Sequence, residues 1–201
     1  MSIDRALIFG VIGLVLNCIG YAPYIRGIFA GTVKPQRITW GIWTILVGIP
    51  FINQVHNGGG YSSYFFGSVT VLTTVVFVLS ITRGVGGRSG FDVIVLIAAV
   101  ILFIVWALTR DTRITTIIAV TIDGVAALPT LVKAYKYPQT EVYLQWVLAA
   151  CGGFFGMLAL PRVNYILLIY PVYVITMNSS IAISKFFGER KDTSLNSESE
   201  L

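Results

Sequence analysis

In this chain of 201 residues, 56% are hydrophobic and 11% charged, against about 45–50% and about 25% in soluble domains, which excludes a soluble globular fold and predicts a membrane protein. The formal charge is +5, but the fourteen Lys and Arg fall singly at the ends of apolar segments; cations there anchor to lipid headgroups, so a nucleic-acid partner is excluded. Cys18 and Cys151 both lie inside apolar segments, which excludes a disulfide framework.

About 20 apolar residues cross a bilayer. In chain order, that test predicts seven spans, at 6–30, 38–56, 61–82, 92–109, 113–134, 141–160 and 163–185. The fold class is therefore an all-α integral membrane protein with seven transmembrane helices. The first span is too long for a signal h-region and lacks a small-residue cleavage site, so it stays as a helix. Between Arg37 and Arg83 there is no Asp, Glu, Lys or Arg, and the two crossings in that stretch are separated by a turn at Gly58-Gly59-Gly60. His56, the only histidine, sits beside that turn and reads as solvated. Gly84, Gly86, Gly87 and Gly90 punctuate the linker before the fourth span. After Lys185 the chain turns polar through Glu189-Arg190-Lys191-Asp192, and 188–201 is predicted to be a disordered tail.

Residues 17–46 and 123–149 repeat one pattern. Asn17, Pro23, Pro35-Gln36 and Trp43 answer to Asp123, Pro129, Pro138-Gln139 and Trp146. The first two pairs are 106 positions apart and the last two 103 apart, as a tandem duplication with a three-residue deletion in the connecting loop would leave them. Each copy holds three spans, 6–82 and 113–185. An odd number of crossings would invert a directly joined second copy, and the span at 92–109 lies between the copies and restores parallel orientation. The plan is three plus one plus three. With the N-terminus outside, ten of the cations fall on the inner segments and only Arg5, Arg110, Arg113 and Arg162 on the outer ones, which predicts N-out and C-in.

Asp123 is the one charged side chain well inside a predicted span, and Asn17 is its neutral isostere in the other copy. A charge at that depth must be paired, protonated or hydrated. Two readings stand: the two residues hydrogen-bond each other or a helix break across the pseudo-axis and fix how the bundles pack, or Asp123 faces a wet cavity and binds a proton, a cation or a polar solute. Pro23 and Pro129 each fall six residues after that pair. A proline inside a helix removes one backbone bond, so the two are candidate hinges. Trp40 and Trp43 sit one turn apart on the second span, matched by Tyr143 and Trp146 on the sixth. They form either an interfacial belt or an aromatic pair facing across the axis, able to stack on a sugar or heterocycle.

With this repeat plan, a proline in the first helix of each copy and a basic loop after it, the chain resembles the PQ-loop and SWEET-like superfamily of membrane carriers, as a divergent bacterial-type member. The resemblance covers roughly 6–185. It departs in one respect: on the first helix of each copy, where the superfamily carries Pro-Gln, this chain has Pro23-Tyr24 and Pro129-Thr130, while Pro35-Gln36 and Pro138-Gln139 read as helix starts. The resemblance implies a multi-pass protein of a bacterial-type plasma (inner) membrane. It also implies a pocket lined by a tryptophan and an asparagine from each copy, here Trp43, Trp146 and Asn178, with Thr73 or Thr74 opposite Asn178.

The expected function is a carrier that moves a small polar solute by alternating access at a midplane site formed by Asn17, Asp123, Trp43, Trp146 and Asn178, with a sugar as the resemblance-led solute. Two alternatives stand beside it: a proton-coupled transporter of an amino acid or other small metabolite, with Asp123 as the coupling residue, and a non-transporting receptor on the same scaffold. No cofactor, metal site or enzymatic constellation is expected. The expected partners are the solute and the lipid bilayer, with a homo-oligomer left open.

Overall fold

The computed structural model describes residues 4–56, 62–109, 112–159 and 165–199. Among these lie seven α-helices: α1 (Arg5–Ala30), α2 (Arg37–His56), α3 (Ser62–Arg83), α4 (Gly90–Leu108), α5 (Thr112–Lys136), α6 (Tyr143–Leu158) and α7 (Tyr165–Ser199). A 3-10 turn, Pro138–Thr140, precedes α6. Among the described residues the protein is all-α, and the β-type pairing is one isolated bridge, Gln36 to Val85. The turn expected at Gly58-Gly59-Gly60 lies outside the described residues.

Local chemistry sets the helix ends. The Asp4 carboxylate accepts from the Ala6 N–H at 3.0 Å and caps α1, and Gly31, at φ 76°, closes it in the left-handed conformation that glycine adopts without steric cost. Gln36 starts α2 by accepting from the Ile38 N–H at 3.0 Å through its side-chain oxygen. Ser89 and Asp92 cap α4 reciprocally: the Asp92 N–H donates to the Ser89 hydroxyl at 3.1 Å, and the Ser89 N–H donates to the Asp92 carboxylate at 3.3 Å.

The tail expected to be disordered from 188 instead continues α7 to Ser199. Glu189, Arg190 and Lys191 favour helix, and side chains on the extension are tied down. Lys185 pairs with Glu189 one turn on, the Arg190 guanidinium lies 4.4 Å from the Phe186 ring centre, and Lys191 lies over Tyr135 of α5.

The helices close into a ring of six. α1 packs on α3 and α6, α3 on α1 and α2, α2 on α3 and α5, α5 on α2 and α7, and α7 on α5 and α6. In both halves the third helix thus lies between the first and the second, giving the order first, third, second. α4 stands outside the ring against α5 and α2. α1 and α5, which carry Asn17 and Asp123, are not neighbours among the described residues.

Two stretches, α1 and Ile117–Lys136 of α5, are long and apolar enough to cross a membrane, and Gly67–Arg83, Gly90–Val105 and Tyr143–Leu158 are shorter apolar helices. Polar side chains point inward: Asn17, Thr39, Thr73, Asp123, Thr130 and Gln145 are buried. Large apolar ones point outward, among them Ile94, Ile97, Ile101 and Ile104 on α4, which are 54–65% exposed.

Candidate functional site

The interior of the ring is filled by aromatic side chains. Trp40 and Trp146 are each only 1% exposed, which removes them from an interfacial belt. Trp43 and Trp146, equivalent positions of the two halves, meet with ring centres 6.1 Å apart at 65°. Edge-on contact of that kind leaves no gap for a solute between the indoles. Trp40 meets Trp43 at 5.4 Å and Trp146 at 6.1 Å. Tyr24 wedges between Trp40 and Trp146, 5.4 and 6.0 Å from them. α2 and α6 stand on opposite sides of the ring, so these side chains form a plug across it.

The loops close the ring at the same end. The Lys34 N–H donates to the Thr140 carbonyl at 3.3 Å, joining the α1–α2 loop to the α5–α6 loop. Lys133 donates to the Lys34 carbonyl and pairs with Glu141. Glu141 also accepts from the Trp146 indole N–H at 3.0 Å. The Lys185 ammonium donates to the Pro138 carbonyl at 2.8 Å. On the other half, Arg37 donates to three carbonyls, Ser80 and Gly86 at 2.8 Å and Gly84 at 2.6 Å, and Arg83 reaches the Phe29 carbonyl at 3.0 Å. Of the ten cations assigned to one side by their position in the chain, Lys34, Arg37, Arg83, Lys133 and Lys185 thus lie in or beside one connected set of loops.

The two candidate hinges lie inside unbroken helices, Pro23 in α1 and Pro129 in α5. In the stretch of α5 just before Pro129, backbone carbonyls accept from α2. The Thr39 hydroxyl donates to the Ala126 carbonyl at 2.6 Å, the Thr130 hydroxyl donates to Thr39 at 2.9 Å, and the Trp43 indole N–H lies 3.5 Å from the Asp123 carbonyl.

Asn17 and Asp123 are both buried, but the structure does not join them in the way one of the two sequence readings expected. The Asp123 carboxylate accepts from the Tyr173 hydroxyl of α7 at 2.9 Å, and the Asn17 amide nitrogen has no hydrogen-bond partner among the described residues. The separation of α1 and α5 on the ring is the physical reason. Asn178 donates to the Val174 carbonyl of its own helix at 2.8 Å. Opposite it in the other half, Thr73 is buried and shares a 2.9 Å hydrogen bond with Tyr21.

Sequence reasoning passed over Tyr24, Lys133, Glu141, Gln145 and Tyr173. Glu141 carried a usable signal, being the one acidic residue in a basic loop and five positions before Trp146. Tyr173 carried none, because a tyrosine in an apolar helix reads equally well as packing. Pro35-Gln36, read only as a helix start, has a second role: the Gln36 side-chain amide donates to the Asp92 carboxylate at 2.7 Å and clamps the α1–α2 loop to the start of α4. Among the described residues no group of three or more His, Cys, Asp or Glu could hold a metal ion. Comparison with family models, with curated proteins and with solved structures finds no match to this chain.

Proposed function

We propose that this protein is a seven-span membrane carrier, N-out and C-in, that moves a small polar solute by alternating access between two three-helix bundles, α1–α3 and α5–α7, with α4 as the linker span. The observation that carries this reading is the six-helix ring. Both halves have the same first, third, second order, and polar side chains line the inside while apolar ones face out. A soluble domain has the reverse distribution, and exposed apolar surface of this extent needs a lipid or protein cover. The resemblance to PQ-loop and SWEET-like carriers rests on this plan, and a sugar is the solute it favours.

The aromatic plug and the bonded loops make this a state closed at the cation-rich end. Alternating access then requires the plug to part and the loops to separate there, with the bundles rocking about the ring interior near Asn17 and Asp123. A second reading has its own observation. Asp123 is a buried carboxylate held by a hydroxyl donor, a setting in which protonation can bias the equilibrium between two bundle arrangements, and in this reading the carrier is proton-coupled.

The test is uptake of labelled sugars and amino acids into vesicles reconstituted with the full chain, with and without a pH gradient. Uptake above protein-free vesicles supports the carrier, and dependence on the gradient supports coupling. Solute-specific binding with no flux across the whole panel would replace the carrier with a receptor.

A further inference from the structure

Lys133 and Glu141 form an ion pair in which both side chains are nearly or fully buried. Such a pair is costly to desolvate, and an apolar pair of similar volume commonly serves stability as well or better, so stability alone does not account for it. Both residues belong to one half of the molecule, so the pair does not by itself join the halves. The same ammonium makes a second bond that does cross between the halves, to the Lys34 carbonyl in the opposite loop, beside the main-chain bond from the Lys34 N–H to Thr140.

On its other side the carboxylate holds the plug. Glu141 accepts from the Trp146 indole N–H, and Trp146 packs against Tyr24, Trp40 and Trp43, all from the opposite half. The chain of contacts therefore runs from indole to carboxylate by a hydrogen bond, to the ammonium by an ion pair, and on to the carbonyl of the partner loop. The Tyr24 hydroxyl faces the Glu141 carboxylate and the Trp40 indole, so the opposite half meets the carboxylate as well as the indole.

Resting on the carrier reading, we propose that Lys133 and Glu141 are positioning residues that make the seating of Trp146 depend on contact between the two loops. When the loops meet, the Lys34 carbonyl anchors Lys133, which fixes Glu141 and holds the indole in the plug. When they part, the anchor is lost, water reaches the carboxylate, and Trp146 is released toward the solute path.

The experiment uses the full chain in vesicles, in a background lacking Cys18 and Cys151. Lys34→Cys with Thr140→Cys reports loop contact by the yield of a short thiol cross-linker, since Lys34→Cys keeps the main-chain carbonyl. Acrylamide quenching of Trp146, with Trp40, Trp43 and Trp106 replaced by Phe, reports the plug. Lys133→Met is expected to raise the open-to-closed ratio by about tenfold, the effect of losing one charge-assisted hydrogen bond, and to expose Trp146. Lys133→Arg, which keeps donors, is expected to stay near the parent.

The decisive variant exchanges the two charges, Lys133→Glu with Glu141→Lys. It preserves a buried ion pair, but a carboxylate at 133 cannot donate to the Lys34 carbonyl, so the loops should still open; cross-linking is the readout for this variant, because an ammonium at 141 no longer accepts from the Trp146 indole. Parent-like cross-linking in the exchanged protein, or parent-like cross-linking and quenching in Lys133→Met, would overturn the proposal and leave the pair a structural one. If Lys133→Met does not fold, Lys133→Arg and the exchange carry the comparison. Both readouts are made without solute: absent flux with the expected cross-linking removes the carrier reading alone, and normal flux with unchanged cross-linking removes the positioning role alone.

Discussion

The Tyr173 hydroxyl donates to the Asp123 carboxylate at 2.9 Å, tying α7 to α5 through the one carboxylate placed deep within a predicted span. Asn17, its isostere in the other half, occupies an equally buried position. The scaffold therefore accommodates an amide there. Asp123→Asn should keep the fold and downhill exchange, while pH-gradient-driven accumulation drops to the level seen without a gradient. Tyr173→Phe should lower thermal stability by about 1–2 kcal/mol through loss of a donor to the carboxylate. Accumulation in Asp123→Asn that matches the parent at every pH tested would make Asp123 a packing residue in an uncoupled facilitator.

The two indoles that meet at the axis should respond unequally to truncation. Trp146 is 1% exposed and hydrogen-bonded, so Trp146→Ala should cost about 3–5 kcal/mol by leaving a cavity. Trp43 is only partly buried, so Trp43→Ala should cost less and is the cleaner probe of solute binding. Thermal unfolding of both variants, each with and without a transported solute, reads the two effects separately. Equal destabilisation would contradict the packing described.

Two adjacent glycines test the clamp between Gln36 and the α4 linker. Gly86 and Gly87 have φ 82° and 88°, where a side chain is strained by about 1–2 kcal/mol. At Gly87 a Cβ would meet nothing within 4 Å, while at Gly86 it would lie 2.1 Å from the Gln36 amide nitrogen. Gly86→Ala should therefore destabilise clearly more than Gly87→Ala. The excess should shrink in Gln36→Ala, which removes the obstructing side chain. Additive losses in the double variant would show that Gln36 is not the obstacle.

Topology is checked by labelling intact cells with a membrane-impermeant thiol reagent. In the background lacking Cys18 and Cys151, Thr193→Cys should label only after the membrane is opened, and Gly59→Cys should label without opening. Labelling of both from one side would remove the seven-span arrangement, whatever the helices do.

The sequence by itself determined the apolar segments, their repetition and the polar and aromatic positions shared by the two copies. These are local quantities: the length of a run, the spacing of a proline and a tryptophan, the isolation of Asp123 among apolar residues. Only the tertiary structure decided which helices are neighbours. These helices carry large apolar side chains on their exposed as well as their packed faces, so hydrophobic periodicity does not mark the face that packs, and buried polar contacts single it out instead. The partners that matter most are accordingly distant in sequence. Lys133 reaches a carbonyl 99 positions away, and Tyr173 reaches Asp123 across 50. The extension of α7 followed the same rule, since Lys191 over Tyr135 is a contact that only the packed helices create. In the sequence Glu141 was only the first residue of the span expected at 141–160; closure of the ring buried it between Lys133 and Trp146, because the loops of both halves converge on one end.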